Sequence, residues 1–173
     1  MANRKIFLKQ LSNSYQLRRL TKEDISCVLE LCKGNPYYYK HCPPSPTPEN
    51  IKRDMRALPP RTTKKDKRYI GFFQGAELIA VMDLIFNYPN SETCFIGFFM
   101  MNKKYQGQGI GSQIIQNALE YLKNFYKTVR LGYVSTNEQA KRFWLKNGFK
   151  YTGKEYRDSQ YLYVVKIMAK ELK

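Results

Sequence analysis

The chain has 173 residues, 43% of them hydrophobic, which is enough for one packed domain and too apolar for a disordered polymer. Lysine and arginine outnumber acids 30 to 14, for a formal charge of +16, which suits either a polyanionic ligand or simply a basic, solvated surface. No apolar run reaches about 18 residues, so no membrane-spanning helix is expected, and the opening MANRKIFLKQL lacks the long apolar segment and small-residue cleavage site of a signal peptide.

Along the chain, YQLRRL (15–20) alternates enough for a first strand. Thr21-Lys22-Glu23-Asp24 has the form of a capping box, and Ile25, Val28, Leu29 and Cys32 recur at helical spacing behind it, so a helix is expected over about 22–33. Gly34-Asn35-Pro36 should stop it, and CPPSPTP (42–48) reads as a loop. Thr47 and Pro48 open a short helix with an apolar stripe of Ile51, Met55 and Leu58. The basic run KKDKR (64–68) then reads as a loop before a hairpin of strands 68–74 and 76–86, turned at Gln74-Gly75. TCFIGFFMM (93–101) is apolar on both faces and should be a central strand. An amphipathic helix through about 126, a strand at 128–134, a helix capped by Asn137 and closed by Gly148, and two last strands at 149–152 and 160–168 complete the chain. This order implies an α+β fold, a mixed α/β sandwich in a single domain over 1–173, with 93–101 and 128–134 parallel because the helix between them can cross over.

Four cysteines, Cys27, Cys32, Cys42 and Cys94, have no C-x-x-C spacing. With His41 they match no zinc pattern, so free thiols in a reducing cytoplasm are expected and no metal. No helix-turn-helix, RNA-binding or zinc signature accompanies the positive charge, so nucleic acid is not expected as a partner.

The stretch YQGQGIGS (105–112) carries glycine at 107, 109 and 111, between an apolar strand and an amphipathic helix. N–H groups at a helix start have no intrahelical partner, and the helix dipole adds positive potential there. Such a turn either binds an anion or packs strand and helix closely. A dinucleotide fingerprint would need glycine where Ser112 stands, and no Walker loop is present.

What remains, Gln106-x-x-Gly109-x-Gly111 at a strand–loop–helix junction, resembles the acetyl-CoA signature of the GNAT family of N-acetyltransferases. A second segment, NEQAKRFWLKNGF (137–149), is similar to that family's fifth-strand and fourth-helix region, and the element order matches over about 14–168. The resemblance implies a central, mostly antiparallel sheet with helices on both faces, whose parallel fourth and fifth strands splay around acetyl-CoA. The pantetheine arm would pair with the backbone of Phe99, Met100 and Met101, one N–H of which would polarise the thioester carbonyl. The pyrophosphate would lie on the loop Gln106, Gly107, Gln108, Gly109, Ile110, Gly111 and Ser112. Asn137 would bond the pantetheine, and Lys141 would either meet a cofactor phosphate or stand as an exposed helix lysine.

The implied reaction is attack of a primary amine on the thioester, with a small molecule or a peptide as acceptor. Asp83, alone in an apolar strand beside the fourth, is the candidate base, or else an orienting or structural carboxylate; Glu92, near a turn, is the lesser candidate. The family often has a tyrosine after the position of Phe143 to protonate the leaving thiolate. Trp144 stands there instead, and indole delivers no proton near neutral pH. Tyr133 or water is the substitute, and a non-catalytic acetyl-CoA-binding protein on the same fold is the alternative. Tyr37, Tyr38, Tyr39, His41, the proline loop, Tyr156, Tyr161 and Tyr163 are the candidate acceptor lining. A family in which dimers are common also allows a homodimer.

Overall fold

The computed structural model describes residues 6–173; the first five residues of the basic N-terminal stretch lie outside it. Seven strands form one sheet in the order β1-β2-β3-β4-β5-β7-β6. The strands are β1 Gln16–Arg19, β2 Lys67–Gln74, β3 Glu77–Ile85, β4 Thr93–Met101, β5 Thr128–Val134, β6 Lys150–Arg157 and β7 Val164–Glu171. The helices are α1 Ile25–Lys33, α2 Pro36–His41, α3 Pro48–Asp54, α4 Ile110–Leu122 and α5 Glu138–Lys146. All neighbouring strands are antiparallel except β4 and β5, which run parallel because α4 carries the chain back across the sheet.

Local signals set most helix starts. Thr21 and Asp24 form the expected capping box, with the Thr21 N–H donating to Asp24 Oδ2 at 2.8 Å. Thr47 accepts from the Asn50 N–H at 3.1 Å with Pro48 in the first turn, and Asn137 accepts from the Ala140 N–H at 2.9 Å. Pro36 does end α1, but it also begins a second helix, α2, because proline is as well suited to a first turn as it is unsuited to an interior one. Tyr37, Tyr38, Tyr39 and His41 are therefore helical.

Three other expectations change. Lys67 belongs to β2 rather than to a basic loop, since its pairing with Ile85 continues the hairpin. The last hairpin is longer than its hydrophobic pattern, and the entirely exposed β6 is carried by backbone pairing to β7 across an irregularity at Gly153. Helix α4 ends at Leu122, before the expected 126.

Alternation on β3 divides the core. Ala80, Met82, Leu84 and Phe86 face α4 and α5 with Ile114, Ile115, Leu119 and Trp144. Val81 and its face-mates turn to α1 and α3, against Val28, Leu31 and Ile51. Asp83, two residues beyond Val81, falls on this second face.

The β3–β4 register slips between Asp83, opposite Phe98, and Leu84, opposite Ile96, so Gly97 is the extra residue of a β-bulge. Pairing of β4 with β5 ends at the same level, at Ile96–Leu131. Beyond it β4 stays with β3 to Met101, while β5 stays with β7 to Val134. The sheet therefore opens into two halves.

Packing around β2 leaves no room for a methyl group at Gly71, where a Cβ would stand 2.6 Å from the Phe73 ring, 2.8 Å from Leu20 Cδ2 and 2.9 Å from Leu78 Cδ1. Gly71→Ala is expected to lower the unfolding free energy by about 1–3 kcal/mol through overpacking, read from the midpoint of urea denaturation.

Candidate functional site

Where the sheet opens, a cavity of about 520 Å³ lies between Gly97–Met101 of β4 and Leu131–Val134 of β5. The 107–112 turn lines one end and Tyr38 and Cys42 the other. A second cavity of about 500 Å³ occupies the α1–α3 side. The two share walls at Tyr38, Cys42, Phe95, Gly97, Phe98 and Tyr163.

The β4 backbone directs alternate groups into the first cavity. Asn102 N–H donates to Ile79 O at 2.8 Å across the Ala80–Met101 pair, so that pair exchanges no direct bonds. Met101 and, two residues earlier, Phe99 therefore turn their N–H and C=O away from β3, toward β5. Met100 turns its groups to Val81. Of the three residues expected to hold a strand-like ligand, Phe99 and Met101 present backbone groups and Met100 does not.

The Met101 carbonyl is already engaged. Asn35 Nδ2 donates to it at 3.0 Å and Gln106 Nε2 at 3.1 Å, while Gln106 Nε2 also donates to Asn35 Oδ1 at 2.6 Å. Gln106 thus locks the α1–α2 junction to the end of β4. Asn35 escaped sequence reading because its partners are 66 and 71 residues away.

The three glycines of the turn have different tasks. Gly107 and Gly109 have φ of +75° and +78°, a region costly to residues with a Cβ, and nothing lies within 4 Å of a Cβ built on either. Gly109 is the N-cap of α4, and the first helical bond runs from Gln113 N to Gly109 O at 3.0 Å. The N–H groups of Ile110, Gly111 and Ser112 precede that bond and point out of the helix end. Gly111 is helical and serves packing, since its Cβ would stand 3.4 Å from both Met101 Cγ and the Phe143 ring. Ser112 Oγ accepts from Asn147 Nδ2 at 3.2 Å, which leaves the serine O–H to donate. Asn147, buried at the end of α5, also accepts from Gln116 Nε2 at 3.1 Å. Gln108 and Ile110 do not line the cavity with their side chains.

On the β5 side, Tyr133 lines the cavity, and burial, aided by Glu138, raises its hydroxyl above the usual range. Asn137 is buried and lines the cavity; its oxygen is taken up by the α5 cap, and its amide nitrogen remains a donor. Lys141 stands outside this lining, 3.6 Å from Glu138 Oε1, whereas Lys146 belongs to it. Trp144 is buried in an aromatic cluster, with ring centroids 4.9 Å from Phe143, 5.3 Å from Phe149 and 6.0 Å from Phe99. It is a packing residue at the base of the cleft.

Asp83 lines the second cavity. Its Oδ2 accepts from Lys67 Nζ at 2.6 Å, and its Oδ1 is buried without a partner. Burial pushes the carboxyl up to about 6 against the opposing pull of Lys67. A Cβ at Gly97 would lie 2.8 Å from Asp83 Oδ2, so the bulge glycine is what lets the carboxylate lie beneath β4. Glu92 pairs with Lys127 at a turn and reaches neither cavity.

Of the acceptor candidates, Tyr38, Tyr39, Tyr161 and Tyr163 line the second cavity and Tyr156 the first. Tyr37 is exposed and lies against His41, whose Nδ1 is 2.8 Å from Thr136 Oγ1. Among the described residues no group of three metal-ligating side chains assembles, all four cysteines are free, and no helix is long and apolar enough to cross a membrane.

A family model described as acetyltransferase (GNAT) family matches residues 35–149. Comparison with curated proteins gives no significant match. Among solved structures, an acetyltransferase from Thermus thermophilus superimposes with a TM-score of 0.73 at 21% identity, over 91% of this chain and 96% of that one. The Salmonella typhimurium acetyltransferase that modifies the N-terminal serine of the 50S ribosomal subunit protein L7/L12 gives 0.74 at 16% identity, over 94% and 98%. The PaiA N-acetyltransferase of Thermoplasma acidophilum, in complex with coenzyme A, gives 0.63 at 19% identity, over 91% and 99%.

The glycine geometry separates two substitutions. Gly109→Val forces a branched side chain to positive φ over the helix end and is expected to weaken acetyl-CoA binding by about 100-fold or more in isothermal titration, with the circular dichroism spectrum retained. Gly111→Ala, which needs only a few tenths of an ångström from Met101 and Phe143, is expected to change that affinity by less than about tenfold.

Proposed function

Because the chain belongs to the acetyltransferase (GNAT) family, whose members are acetyl-CoA-dependent N-acetyltransferases, we propose that it moves the acetyl group of acetyl-CoA directly to a primary amine of a small molecule or peptide. The first cavity is the cofactor cleft and the second the acceptor site. The observation that carries this reading is their shared wall at Gly97 and Phe98, with outward backbone groups on one side and a buried carboxylate on the other.

The residues present fit the donor. The N–H groups of Ile110, Gly111 and Ser112 and the Ser112 hydroxyl receive the pyrophosphate, helped by the dipole of the 13-residue α4. Phe99 and the Met101 N–H pair with the pantetheine arm, and Asn137 donates to it from the β5 side. Bound acetyl-CoA supplies an activated thioester. The Phe99 N–H donates to the carbonyl oxygen that gains charge as the amine nitrogen attacks.

An ammonium has no free electron pair, so a proton must leave before the carbon–nitrogen bond forms. Asp83 receives it, directly or through water. The carbon–sulfur bond then breaks, and Tyr133, held protonated by burial, gives its proton to the departing thiolate and regains one from solvent.

The sign of the pH dependence follows from Asp83. Its base form predominates only above about 6, so kcat/KM should rise through that value and level off well below the ordinary amine range. In Asp83→Asn the rate should keep rising toward the amine's own pKa, because only amine already deprotonated in solution reacts. Lys67→Met removes the charge that lowers the Asp83 pKa and should move the acid limb upward. An unchanged profile in both variants would exclude Asp83 as the base. Tyr133→Phe is expected to lower kcat by about 100-fold with acetyl-CoA affinity intact, measured by thiol release and titration.

A further inference from the structure

The second cavity carries more information than a place for an amine. Its most buried carboxylate is Asp83, 7% exposed, with Oδ1 lacking any hydrogen-bond partner. A buried carboxylate with one oxygen lacking a donor is costly, and a ligand ammonium beside it would offset its charge. The surrounding wall is aromatic, formed by Tyr38, Tyr39, Tyr69, Phe98, Tyr161 and Tyr163. Tyr38 meets Phe98 edge to face at 5.8 Å, and Tyr161 lies parallel to Tyr163 at 6.2 Å. Such rings favour another ring and a cation.

The charge of the lining reverses that of the chain. Three carboxylates, Asp54, Asp83 and Asp158, face two cations, Lys67 and Arg53, although the whole chain has 30 basic residues against 14 acids. Both cations already have a carboxylate neighbour, so the lining holds no excess positive charge for a substrate carboxylate. Lys67 Nζ is bound to Asp83 at 2.6 Å, and Arg53 Nε lies 3.7 Å from Asp54 Oδ1. Asp158 Oδ1 already accepts the N–H groups of Gln160 and Tyr161 at 2.9 and 2.7 Å, which leaves Asp83 as the buried carboxylate of the cavity.

We propose that the acceptor is a small aralkylamine, one primary amine on a ring-bearing apolar body without a carboxylate. The proposal rests on the acetyltransferase reading of the two cavities. The ammonium docks on the Asp83 carboxylate where its Oδ2 lies beneath the Gly97 bulge, and the ring lies among the tyrosines. The reaction is the one already described: the nitrogen–acetyl bond forms, the carbon–sulfur bond breaks, and the ammonium proton leaves through Asp83.

The test uses the full chain saturated with CoA and three probes in isothermal titration: 2-phenylethylamine, L-phenylalanine, which differs from it only by a carboxylate, and spermidine. 2-Phenylethylamine is expected to bind at least about tenfold more tightly than either, with the same order in kcat/KM when acetyl-CoA replaces CoA. Tyr161→Ala should raise the KM for 2-phenylethylamine at least about fivefold and leave that for acetyl-CoA unchanged, and Tyr161→Phe should restore it. Equal or tighter binding of L-phenylalanine or spermidine, or preferential acetylation of a dipeptide N-terminus, would overturn the substrate class while leaving the acetyltransferase reading intact. Absence of acetyl-CoA binding would remove that reading and this inference together.

Discussion

The hydrogen-bonding needs of the β4 backbone govern the rest of the molecule. Up to Ile96 the strand has partners on both edges; from Gly97 to Met101 it has one. A central strand that loses a neighbour exposes N–H and C=O groups that must find other partners. The chain answers part of the need itself, by committing Asn35 and Gln106 to the Met101 carbonyl. The groups of Phe99 remain, and they face a cleft whose shape is that of a missing strand. The opening is stable because each half of the sheet keeps its own antiparallel neighbour, β3 for β4 and β7 for β5.

The bulge at Gly97 joins that constraint to the buried charge. It marks the level at which β4 leaves β5, and its missing side chain gives Asp83 room beneath the strand. Asp83 in turn depends on Lys67. Removing two charges from water is expensive, and a buried pair is tolerated only when each ion holds the other closely. Lys67 satisfies one oxygen at 2.6 Å and leaves the second buried without a partner. A fully neutralised carboxylate would be a poor acceptor for a proton, and a lone one would resist ionising near neutral pH. The half-satisfied pair lies between these limits.

The short helix α2 spans the opening. It follows α1, which packs on β3 and β4, and ends at His41 and Cys42. His41 reaches Thr136, just after β5, and Cys42 lies 3.8 Å from the Tyr163 hydroxyl, just before β7. Tyr38 meets Phe98 of β4 edge to face, so one turn and a half of helix, with the residue after it, touches both halves of the divided sheet and places Tyr38 in the wall common to the two cavities. The +16 charge of the chain says little about the second cavity, whose lining is acidic and aromatic.

Much of this was legible along the chain. Periodicity located α1, α3, α4, α5 and β1 to β5 within a few residues, and the spacing of Gln106, Gly109 and Gly111 marked the turn before α4, because turn chemistry and helix starts are settled among near neighbours. The same locality hid the rest. Pro36 read as a stop because its role as a helix start shows only once the next turn is packed, and β6 has no hydrophobic pattern because its order comes from β7. Lys67 looked like one more member of a basic run, and nothing near it names Asp83, 16 residues on, as its partner. Trp144 could be seen to replace a tyrosine, but only packing shows it wedged among Phe99, Phe143 and Phe149. By itself the sequence determined the elements, their order and the turn, which depend on short-range sterics and capping. Tertiary structure alone decided which backbone groups of β4 face the cleft, where the buried charges pair and what lines the second cavity, because each depends on register and burial between segments far apart in the chain.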